Sequence, residues 1–175
     1  KELFIPEQNH GCASLIINES FFKESLEMRR LLLRGMDALI TNVPGYCVCV
    51  TTADCVPVLL YDKKQHVVAA VHAGWKGTVK HIVSNVMDHL NKMFGTQGED
   101  VIACIGPSIS LESFEVGDEV YDAFEESGFD MSLISMKKKE TGKYHIDLWE
   151  ANRIELLNLG VPAEQIEVAG ICTYI

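Results

Sequence analysis

The sequence VPVLLYDKKQHVVAAVH, residues 56–72, contains two apolar runs separated by a short polar stretch. The runs at 56–62 and 66–72 are rich in valine, leucine and alanine, and the first is typical of a buried β-strand. The polar stretch is centred between Lys63 and Lys64 and indicates a hairpin. We therefore expect two antiparallel strands at the centre of the fold.

A two-residue turn between these strands would fix which residues face each other. Counted outward from such a turn, Cys55 lies opposite His72 on one face, with Cβ atoms about 4.5–5.5 Å apart. The same count places Asp54 opposite Ala73, away from the face of Cys55. A slip of one residue would put Cys55 and His72 on opposite faces, so the prediction depends on a turn without a bulge.

The remaining periodicity indicates strands and helices in a mixed order. Further strands are expected at 37–41, 46–52, 100–106 and 166–174. Helices are expected at 20–35, at 78–95 with Thr78 as N-cap, at 117–128 and at 147–160. Because strands cluster first and later alternate with helices, we expect an α/β (α+β) fold, a mixed β-sheet flanked by helices. No internal linker or repeat is present, so residues 1–175 are expected to form a single domain.

The composition limits the classes of function. A formal net charge of −10 argues against nucleic-acid and anionic-membrane binding, which need a basic face. No apolar run approaches the roughly 18–20 residues of a membrane span, and the first residues lack a signal-peptide pattern. The six cysteines include no Cys-x-x-Cys pair, and Cys47, Cys49 and Cys104 are expected to be buried thiols. A reduced, cytoplasmic location is the expectation.

The predicted pair of Cys55 and His72 leaves three interpretations open. It is a thiolate nucleophile with its base, two ligands of a metal ion, or a buried thiol beside a hydrogen-bonded histidine. A third metal ligand would have to come from elsewhere, and His10 is the candidate because Gly11 permits a turn beside it. One cysteine and two histidines would leave a fourth position open, as in catalytic zinc sites.

Four other histidines compete with His10 for this role. His81 and His89 are expected on the solvated side of the 78–95 helix, and His66 lies at the wrong end of the hairpin. His145 remains a reserve ligand.

The segment AGWKGT, residues 73–78, is the second candidate feature. Gly74 and Gly77 allow close approach of a ligand, and Lys76 adds a positive charge. Together with the N-terminus of the following helix, they would form a pocket for phosphate or another anion. The alternative is an ordinary strand-to-helix turn in which Trp75 packs. The loop IGPSIS, residues 105–110, could line the same cleft.

Five motifs, QNH, TADC, HAGWKGT, IGPSIS and FEVGDEV, occur in this order between about Glu7 and Thr173. In these motifs the chain resembles the YfiH/laccase-domain family, also called multicopper polyphenol oxidases or peptidoglycan editing factors. The resemblance implies a metal triad of His10, Cys55 and His72 and an α/β sandwich similar to a toxin deamidase domain. It also implies N- and C-terminal family segments, including an FFSYRR-like tail, that this sequence lacks. Ser110 stands where the family often has glycine.

The resemblance implies phosphorolysis of adenosine, inosine and guanosine, with some adenosine deamination. On this basis we expect a zinc enzyme acting on a purine nucleoside and phosphate, with phosphate at Gly74, Lys76 and Gly77. Asp54 is expected to act as acid/base or to hold a metal ligand in place, or to serve as a cap or turn residue if it faces away from the site. Copper is the alternative metal, although six histidines without a His-x-His pair do not suit a laccase. A metal-free Cys–His hydrolase or deamidase and a non-enzymatic cell-wall factor are the competing hypotheses. The oligomeric state is not predicted.

Overall fold

A computed structural model describes residues 2–174, which contain eleven β-strands and seven α-helices. The strands are β1 (Glu2–Phe4), β2 (Ser14–Ile16), β3 (Ala38–Thr41), β4 (Tyr46–Val48), β5 (Val56–Asp62), β6 (Val67–Ala73), β7 (Val101–Ile105), β8 (Glu115–Val116), β9 (Ser135–Lys137), β10 (Tyr144–Ile146) and β11 (Ile166–Val168). The helices are α1 (Glu19–Lys23), α2 (Leu26–Leu32), α3 (Trp75–Val79), α4 (Ile82–Phe94), α5 (Asp118–Glu126), α6 (Met131–Ile134) and α7 (Leu148–Asn158). Short 3₁₀ turns at Gly98–Asp100 and Ala163–Gln165 precede β7 and β11.

A six-stranded sheet forms the centre of the molecule, in the order β11-β7-β5-β6-β3-β2. The outer pairs β2–β3 and β7–β11 are parallel, whereas the four inner strands are antiparallel. Strands β1 and β4 form a separate parallel pair, and β8, β10 and β9 form a small antiparallel sheet. The expectation of a mixed sheet flanked by helices is confirmed.

The hairpin of β5 and β6 differs from the prediction in its turn. Its loop contains four residues, 63–66, and the Asp62 carboxylate accepts the backbone N–H of Lys64 at 2.8 Å. The register therefore pairs Pro57 with His72, so the predicted pairing of Cys55 with His72 is wrong. The predicted pairing of Asp54 with Ala73 is also wrong, because Ala73 faces Val56. Since the shift is two residues, the side chains keep their faces.

Each face of the central sheet packs against a different layer. On β3 and β6 the pair Ala38 and Val71 belongs to the main core, whereas the next pair, Leu39 and Ala70, belongs to a second core. The main core contains residues of α4 and α7, including Val86 and Leu156. The second core contains Phe4, Ile17, Phe21 and Val48. Alternate residues of a strand point to opposite faces, which explains the two layers.

The helix predicted at 78–95 is two helices. The first, α3, begins at Trp75 with Gly74 as N-cap, so Thr78 lies inside it and is not a cap. The chain then breaks at His81, whose φ of 55° is left-handed, and α4 follows. The helix predicted at 20–35 is likewise divided into α1 and α2.

None of the three thiols that were predicted to be buried is fully buried. Cys47 and Cys104 are exposed, and Cys49 is only half-buried. On β4 the side chain between the two cysteines, Val48, faces the second core instead. Cys104 pairs with Leu59, which is 53% exposed, so this part of the sheet has an open face.

Within residues 2–174, no helix is both long and apolar enough to cross a bilayer.

Candidate metal centre

The structure brings His10, Cys55 and His72 together. One ligand atom from each side chain lies within 4.8 Å of the others, and residues 2–174 contain no other such group of three. His72 lies on β6, Cys55 immediately precedes β5, and His10 lies in the loop before β2. Two donors thus come from the rigid central hairpin and the third from a loop.

His72 is oriented by a buried carboxylate. Its Nδ1 donates to Oδ1 of Asp37 at 2.8 Å, and both side chains are almost fully buried. The backbone N–H of His72 also donates to the carbonyl of Asp37 at 2.8 Å. Because Nδ1 is occupied, the free Nε2 is the nitrogen that can bind a metal, an arrangement common in zinc proteins.

The same carboxylate holds the loop of His10. Backbone N–H groups of His10 and Gly11 donate to Asp37 at 3.0 and 2.7 Å. His10 adopts a left-handed backbone with φ of 60°, an uncommon conformation that these bonds support. Its ring meets that of His72 edge-on, with centroids 4.8 Å apart. Asp37 therefore positions two of the three donors.

Sequence reasoning assigned no role to Asp37. Its only signal was a position at the start of the strand DALIT, and one sequence does not reveal that a buried carboxylate binds a loop 27 residues earlier.

The thiol of Cys55 is half-buried beside negative charge. Burial raises its pKa, and the nearby carboxylates of Asp54 and Asp37 raise it further. A thiol in this environment stays protonated and is a weak nucleophile unless a cation offsets the charge.

Because Gly74 has no side chain, the sulfur of Cys55 and the ring of His10 can lie close to its backbone. A Cβ atom at this position would lie 2.8 Å from Sγ of Cys55 and 3.5 Å from Cδ2 of His10. Gly77 likewise lets the backbone of Gly11 lie close, since a Cβ atom added at Gly77 would be 3.1 Å from the carbonyl oxygen of Gly11. Two imidazoles and one thiolate are a donor set that fits zinc with one position free.

Two other predicted site residues lie on the borders of this centre. The Asp54 side chain is exposed and accepts a hydrogen bond from the hydroxyl of Thr173 at 2.9 Å. Its carbonyl accepts the N–H of Ile109 at 2.9 Å, which joins the loop at 105–110 to the site. Lys76 is exposed on α3, with its ammonium 5.5 Å from the centroid of Trp75.

The competing histidines have other partners. His66 contacts the hydroxyl of Tyr61, and His145 contacts the carbonyl of Leu111. The prediction that His81 and His89 are solvated is wrong, because both are half-buried and hydrogen-bonded, to Glu155 and Ser14 respectively.

Cys172 is a feature near the site that sequence reasoning passed over. Its Sγ accepts the N–H of Ser110 at 3.4 Å and lies 3.5 Å from the hydroxyl of Ser113. Hydrogen bonds from these two serines lower its pKa to about 7. The neighbouring residue, Thr173, is the one that contacts Asp54.

Comparison with known proteins agrees with the expected family. The sequence model of the family described as "Multi-copper polyphenol oxidoreductase laccase" matches residues 1–175. A relative named "Purine nucleoside phosphorylase" from Bacteroides thetaiotaomicron is 59% identical over the whole chain, which spans 65% of that protein. "Adenosine deaminase RL5", from an unknown prokaryotic organism, is 40% identical over 98% of the chain and 65% of its own length.

A solved structure has the same fold. The hypothetical protein YfiH from Bacillus licheniformis superimposes with a TM-score of 0.86 at 31% identity, over 98% of this chain and 64% of that one. The chain thus spans slightly less than two thirds of each of these three proteins. With its sequence matched from end to end and its fold shared, the chain belongs to the laccase-like YfiH family of multi-copper polyphenol oxidoreductases.

Proposed function

We propose that this chain is the catalytic part of a zinc-dependent purine nucleoside phosphorylase. The observation that carries the proposal is the convergence of His10, Cys55 and His72, whose ligand atoms lie within 4.8 Å of one another. A relative with 59% identity is named a purine nucleoside phosphorylase, and this name supports the proposal that the substrates are a purine nucleoside and phosphate. We further propose that residues 1–175 act as a single domain in the cytoplasm.

The three donors would hold the metal, and the surrounding residues would keep them in place. Bound zinc would supply Lewis acidity to an oxygen atom of the substrates. Asp37 keeps the proton of His72 on Nδ1, so that Nε2 stays available as a ligand. The Asp37 bonds to the backbone of His10 and Gly11 fix the third donor against the hairpin.

Phosphate would bind at the turn that follows His72. The first backbone N–H groups of α3 lack helical partners, as at the start of any helix, and Gly74 and Gly77 allow an anion to approach them. The Lys76 side chain is exposed, and its ammonium group would add a positive charge near such an anion. Because Cys55 Sγ lies beside Gly74, phosphate here would be adjacent to the metal.

Asp54 would act on the nucleoside as acid or base. Its exposed carboxylate accepts from the hydroxyl of Thr173, and its backbone carbonyl accepts from the N–H of Ile109. A carboxyl group so placed could exchange a proton with the purine ring as the glycosidic bond breaks.

Deamination of adenosine is the second candidate activity, since a relative with 40% identity is named adenosine deaminase. The same centre would serve it, because zinc also activates water for attack on a purine ring. Copper in place of zinc is the corresponding alternative for the metal, and it agrees with the description of the family.

The test is an assay of inosine cleavage by the zinc-loaded wild type and by Cys55→Ala. We expect hypoxanthine release that requires phosphate, and loss of this release in Cys55→Ala. Cys104→Ala, which removes an exposed thiol from β7, should retain wild-type turnover. Lys76→Ala should raise the KM for phosphate with little change in the KM for inosine.

Zinc-loaded wild-type protein that leaves inosine intact but deaminates adenosine would move the assignment to the second candidate. Inertness toward all nucleosides would contradict both enzymatic assignments and favour a non-enzymatic factor. Turnover that survives Cys55→Ala and chelation would contradict the metal mechanism.

A further inference from the structure

A second group of soft ligand atoms lies outside the metal centre, at the end of β4. Cys47 lies on β4 and Cys49 directly follows it, and their sulfur atoms are 3.8 Å apart. Val48 between them is buried in the second core, so the two thiols share the side of the chain that faces away from this core. The end of β4 thus presents a pair of adjacent thiols.

The backbone holds this pair in place. Leu3 of β1 is the register partner of Cys47, and the N–H of Cys49 donates to the carbonyl of Phe4 at 3.0 Å. Phe4 is buried in the second core, which anchors β1 and β4 beneath the thiols. Cys47 is exposed and Cys49 half-buried, so an ion can reach both sulfur atoms from solvent.

The spacing and the number of donors select the type of ligand. Two Zn–S bonds of about 2.3 Å at a tetrahedral angle would place the sulfurs about 3.8 Å apart, but zinc then requires two further donors. Among residues 2–174, the one group of three or more His, Cys, Asp or Glu ligands is the His10 centre, which does not include this pair. Soft thiolates also select Cu(I), a monovalent ion that needs fewer donors than zinc, and the exposed Cys47 side chain can turn to widen the sulfur separation for a more linear S–Cu–S arrangement.

We propose that Cys47 and Cys49 form a binding site for one Cu(I) ion, separate from the His10–Cys55–His72 centre. Binding forms two Cu–S bonds, and the protons of both thiols pass to solvent without any change in oxidation state. Burial and the proximity of Cys47 raise the pKa of the Cys49 thiol, so affinity should increase with pH as the second proton is released more easily. The proposal does not depend on the nucleoside activity.

The experiment is a Cu(I) titration of the full 175-residue chain, reduced and anaerobic, against a chromophoric Cu(I) chelator. The background is Cys55→Ala, which removes the sulfur ligand of the other centre. We expect about one Cu(I) bound per chain in this background, as two thiolates can hold one soft ion. Adding either Cys47→Ser or Cys49→Ser should abolish it. Cys104→Ser and Cys172→Ser, added singly, are matched controls and should retain it.

X-ray absorption of the copper-loaded Cys55→Ala protein provides a second measurement and should show two sulfur neighbours. The proposal is overturned if the Cys55→Ala protein takes up no Cu(I) in competition with the chelator. It is equally overturned if uptake survives both Cys47→Ser and Cys49→Ser. Since Cys47 is exposed, its replacement by serine should not disturb the fold, and circular dichroism of the variants will verify this.

Discussion

Asp37 shows how one buried side chain can organise a site built from distant segments. Its carboxylate contacts the imidazole of His72 and the backbone of His10, which lie 62 residues apart in the sequence. Such outer partners of metal ligands fix the ring orientation and increase the basicity of the ligand nitrogen. The carboxylate is therefore expected to matter for metal affinity without touching the metal.

Replacing Asp37 by asparagine should weaken zinc binding by about 10–100-fold, because the amide cannot accept from all the groups that the carboxylate holds. Zinc affinity measured by competition with a chromophoric chelator checks this expectation. Asp62→Asn is the matched control, since Asp62 is an equally buried carboxylate that accepts backbone N–H groups at the far end of the hairpin. Equal zinc affinity in Asp37→Asn and wild type would contradict the assigned role.

Cys172 should be the most readily alkylated of the exposed or half-buried thiols at neutral pH. Its pKa is lowered to about 7 by hydrogen bonds from Ser110 and Ser113, so a large fraction is thiolate at pH 7. Iodoacetamide labelling followed by peptide mapping should show Cys172 modified faster than Cys104. The Ser113→Ala variant should slow the reaction at Cys172 alone. An identical rate in wild type and Ser113→Ala would show that the hydroxyl does not activate this thiol.

At the scale of elements, the central hairpin shows what one sequence can and cannot predict. The two apolar runs identified β5 and β6 to within one residue, because buried strands leave a clear apolar pattern. The length of the loop at 63–66 was not evident, since both a two-residue and a four-residue turn suit polar residues. Cys55 and His72 still converge because the error was an even number of residues.

The break between α3 and α4 has a tertiary cause that the sequence does not show. The ring of His81 contacts Glu155 of α7 and the carbonyl of Ser127, and it stacks on Phe129. These contacts hold the left-handed backbone at His81, where the apolar periodicity predicted a continuous helix. Glu155 is buried, borders a cavity of about 490 Å³ and has one carboxylate oxygen without a hydrogen-bond partner among the described residues.

Replacing Glu155 by glutamine should change the pH dependence of stability. Burial raises the pKa of this carboxyl above its ordinary value of 4.5, an effect that Ser84 and His81 only partly oppose. A raised pKa in the folded state favours the protonated form, so the contribution of Glu155 to stability is present in acid. It is lost as the pH rises through the folded-state pKa.

Wild type should therefore gain free energy of unfolding relative to Glu155→Gln as the pH falls through the raised pKa of Glu155 toward its ordinary value of 4.5. Urea unfolding at several pH values measures the difference. Glu126→Gln, which alters an exposed carboxyl on α5, should show no such trend. A difference between wild type and Glu155→Gln that is constant with pH would contradict the assigned environment of this carboxyl.

At the scale of the whole molecule, the order of strands and the layers could not be predicted. The sequence indicated a mixed sheet, but the parallel outer pairs join segments that are far apart, such as β7 and β11. The exposure of Cys104 was missed because an apolar run on a strand predicts burial only when another layer covers it. Leu59 and Ile102, at 53% and 43% exposure, mark the same open face. The candidate ligands His10, Cys55 and His72 were predicted from three short motifs, and such local predictions do not depend on the order of the strands.

Since the three ligands come from separate segments, a bound metal should stabilise the fold. A ligand at about 100 times its Kd adds about 2.7 kcal/mol to the free energy of unfolding. Thermal unfolding should therefore shift to lower temperature when a strong chelator is added to wild type, and not when it is added to Cys55→Ala. Coincident melting curves for wild type with and without chelator would count against metal bound at this place.

The most direct measurement is the metal content of the purified wild type and of Cys55→Ala by elemental analysis, after removal of loosely bound ions. We expect about one zinc per chain in the wild type, as for a site of three protein ligands. We expect close to none in Cys55→Ala, with Cys104→Ala as the control that retains the zinc. Wild-type protein without bound metal, or a zinc content unchanged in Cys55→Ala, would contradict the metal centre at His10, Cys55 and His72.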